Sequence, residues 1–119
     1  MNVMVLGASN KPTRYSYMAV ENLLKAGHTV FPVHKIIKEV HGLKVYHDIT
    51  DVKEPIDTLT IYVNEEISKS MEQEILNLKP RRMIFNPGTE NTELADKARA
   101  LGIEVVFACT LVLLSIRAF

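Results

Sequence analysis

The sequence predicts an α/β domain: an open parallel sheet of about five strands with helices on both faces. Three observations predict it. Short apolar runs rich in β-branched residues alternate with segments of about 10–15 residues whose apolar positions recur at helical spacing. Glycine or proline punctuates most junctions between them. The 119 residues, 47% apolar and 24% charged, suit one core of ordinary globular composition.

Val3 to Leu6 is a continuous apolar run stopped by Gly7, the pattern of a strand buried on both faces. Pro12 precedes a helical stretch from Tyr15 to Ala26, with Tyr17, Val20, Leu23 and Leu24 at helical spacing and Gly27 as its stop. Thr29 to Val33 is a second strand, His34 to Gly42 a polar, basic loop, and Lys44 to Tyr46 a short strand. "DVKEPID" is a turn or a single helical turn. Thr58 to Val63 is a strand, and Asn64 caps one helix that runs to Pro80 with Ile67, Met71, Ile75 and Leu78 along one face. Met83 to Phe85 is a strand, "NPGTEN" a loop, and Thr92 to Leu101 a helix stopped by Gly102. Glu104 to Ala108 is the last clear strand, and "TLVLLSIRAF" a short helix or edge segment that packs on the core or on a partner. No repeat, linker or low-complexity stretch divides the chain, so residues 1–119 read as a single domain.

Net charge is zero and the isoelectric point is near 6.9, which argues against a general nucleic-acid surface. The charge is uneven. Residues 1–50 hold six Lys/Arg against three Asp/Glu, whereas residues 51–119 hold eight against eleven. An anionic ligand is therefore expected on the N-terminal half. One cysteine permits no intramolecular disulfide. No apolar run is long enough to span a bilayer and the chain begins directly on a strand pattern, so the expected setting is cytoplasmic and away from membranes.

Open parallel sheets bind ligands beyond the carboxyl ends of their strands, near the topological switch point. Here those ends carry "GASNKPTRYS", "PVHK", "YVNEE", "NPGTEN" and "ACT". In the first, Gly7 permits a sharp turn, the following helix start suits an anion, and Ser9, Ser16, Lys11 and Arg14 add donors and positive charge. The second discriminates between ligands. An NAD site has three glycines in its first loop and an acid after its second strand. This chain has one glycine, and His34 and Lys35 in place of the acid. A ligand bearing a phosphate near its ribose is implied, as in coenzyme A or NADP.

These residues carry a resemblance. "VLGASNKPTRYSYMAVENLLKAGHTVFPVHK", "IYVNEE" and "NPGTENTELADKARALGIEVVFACT" resemble the stand-alone CoA-binding domain family, which is similar to the N-terminal domain of the succinyl-CoA synthetase alpha subunit. The likeness runs over residues 2 to 112. It implies a Rossmann-like fold that cradles coenzyme A or an acyl-CoA. Carried over by position, Gly7, Ala8 and Ser9 contact the phosphates and Arg14 and Ser16 sit at the helix entry. Pro32, Val33 and Lys35 flank the adenosine part, with Lys35 near the ribose phosphate. Val63 and Asn64 line the opposite wall, and Pro87 and Gly88 approach the pantetheine arm. The chain departs from the pattern at His34, where many relatives have Asn-Pro.

The synthetase carries its phosphorylated histidine in a second domain that this chain does not include. No Ser-His-Asp order, HExxH or paired cysteines are present. His28, His41 and His47 read as structural residues; His34 is structural or a phosphate or adenine contact. Cys109, after the last strand, is a small buried hydrophobe or a thiol that meets the thiol of coenzyme A. Glu90 and Glu93 suit a helix start. Tyr15, Tyr17 and Met18 are core residues or an adenine platform. The leading expectation is non-catalytic binding of coenzyme A or an acyl-CoA. The alternatives are an NADP-binding oxidoreductase and the CoA-binding subunit of a multi-chain acyl-CoA ligase. Homo-oligomerisation or a partner chain fits the apolar tail.

Overall fold

The computed structural model describes residues 1–119. Five parallel strands form the central sheet: β1 (Asn2–Leu6), β2 (Thr29–Val33), β5 (Thr58–Ile61), β6 (Arg82–Phe85) and β7 (Glu104–Phe107), in the order β2-β1-β5-β6-β7. The order reverses at β1, so the switch point lies between β1 and β5. No helix is long and apolar enough to cross a membrane.

Strand alternation divides the core in two. Val3 and Val5 of β1 face α1 (Tyr15–Lys25), packing with Val20 and Leu23. Met4 and Leu6 face the other side, where Ile75 of α3 (Glu72–Leu78) and Leu94, Ala95 and Ala98 of α4 (Thr92–Ala100) close a larger cluster. The terminal segment forms a short helix, α5 (Thr110–Ser115), and Leu114 and Phe119 pack against the α1-side cluster.

Two local expectations change. The helix after Asn64 is divided into α2 (Glu65–Ser70) and α3 at Met71, whose φ of −109° and ψ of 13° leave the helical region. The Ser68 and Ser70 hydroxyls donate to the Glu65 and Ile67 carbonyls, three residues back, and this competes with regular helix bonding. Consequently Ile67 is 41% exposed rather than on a continuous buried face. The predicted loop after His34 contains a hairpin, β3 (Glu39–Val40) with β4 (Leu43–Lys44). His41 and Gly42, both at positive φ, make its two-residue turn. His41 also stacks on Tyr17 at 4.1 Å, and its Nε2 donates to the Tyr17 carbonyl at 3.2 Å, which fastens the hairpin to α1.

At the opposite end of the sheet from the ligand-bearing loops, Arg81 donates to both Asp57 carboxylate oxygens, at 2.9 and 3.2 Å. This hydrogen bonding holds the Asp57 carboxyl below its ordinary value of 3.8. A carboxyl whose pKa is lowered by folding stabilises the native state above its unfolded value. That contribution disappears as pH falls through the lowered one. Asp57→Asn is therefore expected to be less stable than the wild type at about pH 7 and indistinguishable from it well below pH 3.8, as read from urea midpoints at both pH values.

Candidate functional site

The site is built around Gly7, at the end of β1. Its φ is 91°, and a Cβ there would come within 3.0 Å of the Tyr62 carbonyl carbon and of Val63 Cγ1. Gly7 and Ala8 both donate their amides to the Val33 carbonyl, at 3.0 and 3.1 Å. The turn is thus pressed between the ends of β2 and β5. The expectation that Gly7 and Ala8 touch phosphates does not extend to these two amides, which are already engaged by protein.

Two hollows open beside this turn and share Gly7 and His34. The first, about 430 Å3, is lined by Gly7, Ala8, Ser9, Asn10, Lys11, Arg14, Tyr15, Ser16, His34, Ile37 and Tyr62. It lies at the N-terminus of α1, where Arg14 occupies the capping position without a side-chain capping bond and the first turn has no acidic residue. The helix start therefore keeps its positive end uncompensated. By contrast, Asn64 and Asn91 cap α2 and α4 with their side-chain oxygens.

The second hollow, about 280 Å3, is lined by Leu6, Gly7, Val33, His34, Lys35, Ile36, His47, Val63, Ile67, Ser70 and Met71. Its walls are mainly aliphatic, and Ile36 is 78% exposed. Across both hollows no lining residue is a carboxylate, and Lys11, Arg14 and Lys35 take part in no ion pair. Lys25, Arg81, Lys97 and Arg99, elsewhere on the surface, are each paired with an acid.

Of the residues singled out in the sequence, Gly7, Ala8, Ser9, Lys11, Arg14, Ser16 and His34 line the first hollow. Gly7, Val33, His34, Lys35 and Val63 line the second. Pro32, Asn64, Pro87 and Gly88 line neither. Pro32 lies within β2 and its carbonyl accepts the Tyr46 amide, Asn64 caps α2, and the Gly88 amide donates to the Glu90 carboxylate. Cys109, half-buried at the start of α5, lines neither hollow. Tyr15 is 70% exposed at the rim of the first hollow, while Tyr17 is committed to His41.

A model of the CoA binding domain matches residues 1–115. The chain belongs to the CoA binding domain family. A crystal structure of an uncharacterized protein superposes on this CoA binding domain with a TM-score of 0.90 and 41% identity, covering 99% of this chain and 97% of that one. The uncharacterized protein YneT of Bacillus subtilis is 25% identical over 104 residues, 87% of this chain and 77% of that protein. The alpha subunit of acetate–CoA ligase (ADP-forming) II of Pyrococcus furiosus is 32% identical over 68 residues, 56% of this chain and only 15% of that subunit.

Sequence reasoning missed Tyr62, Ile36, Ile67 and Met71 as lining residues, because their placement depends on how β5, α2 and the second loop converge. It also missed a buried polar network behind the site. Asn86 donates to the Thr60 hydroxyl at 2.7 Å and to the Ile61 carbonyl at 2.9 Å, while its side-chain oxygen accepts the Thr110 amide at 2.8 Å. The Thr60 and Thr110 hydroxyls are 2.7 Å apart. Tyr62 sits against this network, and burial pushes its phenol up to about 12. The two threonine hydroxyls draw it the other way, but they are engaged with each other and with Asn86, and the Tyr62 hydroxyl has no hydrogen bond of good geometry.

Two outcomes are expected. Gly7→Ala loses about 1–2 kcal/mol from the positive φ alone, and more from the contact with Tyr62 backbone, as a lowered urea midpoint. Tyr62→Phe removes an unpartnered hydroxyl and leaves stability unchanged or raised; a midpoint lowered by more than about 1 kcal/mol equivalent would show that the hydroxyl is bonded.

Proposed function

We propose that this protein binds coenzyme A or an acyl-CoA at the switch point, without catalysis by its own residues. The observation that carries the reading is the pairing of the two hollows: two unpaired cations, Lys11 and Arg14, with an uncompensated helix start on one side, an aliphatic groove bordered by the unpaired Lys35 on the other, and no carboxylate in either. Coenzyme A has this division of chemistry. Its pyrophosphate suits Ser9, Lys11, Arg14 and the α1 N-terminus. Its adenosine suits the groove of Val33, Ile36, Val63 and Ile67, with Lys35 at the ribose phosphate. Pro87 and Gly88 are left for the pantetheine arm, and Pro32 and Asn64 act through the strand end and helix cap they build. Membership of the CoA binding domain family supports the choice of coenzyme A over NADP.

A second reading is favoured by one comparison. The similar segment in Pyrococcus furiosus is part of a ligase subunit named alpha. On that reading this domain supplies the coenzyme to a reaction completed on a separate chain.

Thermal shift with coenzyme A, acetyl-CoA, NADP and NAD tests the ligand. A melting point raised by roughly 5–15 °C at a hundredfold excess over Kd is expected for the first two. Stabilisation by NADP alone would refute the proposal. Lys35→Glu is expected to weaken coenzyme A by about ten- to a hundredfold, and dephospho-CoA much less. Equal losses would remove Lys35 from the ribose phosphate.

A further inference from the structure

We infer that His34 is a protonation-controlled latch on the second loop. Neutral, it holds residues 35–37 in the shape that lines the site; a proton on its Nδ1 releases them and lowers ligand affinity. The regulatory half of this inference rests on the reading of the site as a coenzyme A site.

The latch is visible in the hydrogen bonds. His34 Nδ1 accepts the Ile36 amide at 3.1 Å and the Ile37 amide at 3.3 Å. Backbone amides only donate, so Nδ1 presents its lone pair and the ring proton resides on Nε2. The loop is tied at one end by the His34 amide donating to the Tyr46 carbonyl at 2.9 Å, and at the other by the Val45 amide donating to the Lys38 carbonyl at 3.0 Å. Between these ties Lys35, Ile36 and Ile37 make no backbone–backbone hydrogen bond. The imidazole supplies the only hydrogen bonds that hold the segment.

The same three residues face the site. Lys35 and Ile36 line the aliphatic groove, Ile37 lines the anion hollow, and His34 borders both. Taking up a proton at Nδ1 turns an acceptor of two amides into a third donor pointed at them, and both bonds are lost. The charged and titratable groups around the latch are Lys11 and Arg14 from the first loop, Lys35 and Lys38 from its own loop, His47 and Asp48 from the segment after β4, and Tyr62 from the end of β5. Most are cations, so an imidazolium here also adds attraction for an anion. This opposes the latch, and the direction of the pH dependence separates the two effects.

The test has a ligand-free arm and a binding arm. In ligand-free protein, the amide resonances of Ile36 and Ile37 are expected to titrate together with the His34 ring. In His34→Asn, whose side-chain oxygen remains an acceptor without taking up a proton, they are expected not to move. Calorimetry with coenzyme A at about pH 7.5 and about pH 5.5 is expected to show wild-type affinity falling roughly fivefold or more beyond the fall in His34→Asn. The variant shares the ligand's own phosphate titration, which the comparison therefore cancels. His28→Asn, at a histidine that lines neither hollow, is expected to retain the wild-type dependence. Amides that ignore the ring titration overturn the latch. Wild-type affinity that rises on acidification, or falls in parallel with His34→Asn, overturns its control of binding. Absence of coenzyme A binding by either protein, with the amide titration intact, overturns the coenzyme reading and the regulation built on it while establishing the latch itself.

Discussion

The close approach of Gly7 to the end of β5 is the constraint on which the site depends. Three strands converge at this turn. The Val33 carbonyl takes the Gly7 and Ala8 amides, and the Leu6 carbonyl takes the Tyr62 amide at 2.8 Å. With no side chain at Gly7, the backbone of β1 lies against Tyr62 and Val63 and the strand ends remain in register. Immediately beyond, the chain after β1 turns towards α1, while β5 leads to α2 on the opposite face. The two hollows are the space this divergence leaves. A bulkier residue at position 7 would displace the floor shared by both.

Behind that floor, the Asn86 network performs the complementary task. The α5-facing side of β5 and β6 carries Thr58, Thr60, Arg82 and Asn86, all buried, where aliphatic side chains would be the simpler solution. Buried polar groups are tolerated when bonded, and here the bonds connect separate elements. Asn86 joins β5, β6 and the first amide of α5, and its backbone carbonyl accepts the Thr89 hydroxyl at 2.7 Å. The Pro87–Gly88 loop and the start of α5 are therefore positioned by one residue, through its backbone carbonyl and its side chain respectively. The same arrangement leaves the Tyr62 hydroxyl without a hydrogen-bond partner, and Cys109 lies outside the hollows. Arg82 extends the pattern towards the other end of the sheet, donating to Thr58 and lying 4.5 Å from the Phe119 ring centroid.

Much of this was legible in the sequence, for identifiable reasons. A continuous apolar strand at Val3 to Leu6 and a run of alternating β-branched residues from Thr58, separated by a glycine-stopped helix and a second strand, have few solutions other than a parallel sheet. The positions of Gly7, Ser9, Lys11, Arg14 and Lys35 follow from the rule that strand carboxyl ends converge. What was not legible depends on contacts between distant segments. The break at Met71 arises from two serines bonding backward, and the hairpin at His41 depends on the Tyr17 ring waiting on α1. His34 read as structural or as a phosphate or adenine contact; its structural role, accepting two amides of its own loop, depends on a loop shape that the sequence alone does not give.

Charge segregation connects these local features to a molecule of zero net charge. The chain carries as many acids as bases, so its net charge alone favours no face. Six of the fourteen acids are held in ion pairs, all outside the two hollows, and no acid lines either hollow. Glu72 and Glu93 bind Lys97, Asp57 and Glu104 bind Arg81, and Asp96 binds Arg99. These contacts all lie outside the site, and inside it Lys11, Arg14 and Lys35 have no counterion. Exposed pairs of this kind contribute little to stability. Within the site the effect is on the field: Lys11, Arg14, Lys35 and the helix start add to one another where the strand ends converge, with no carboxylate in either hollow to offset them, and this favours an anion there.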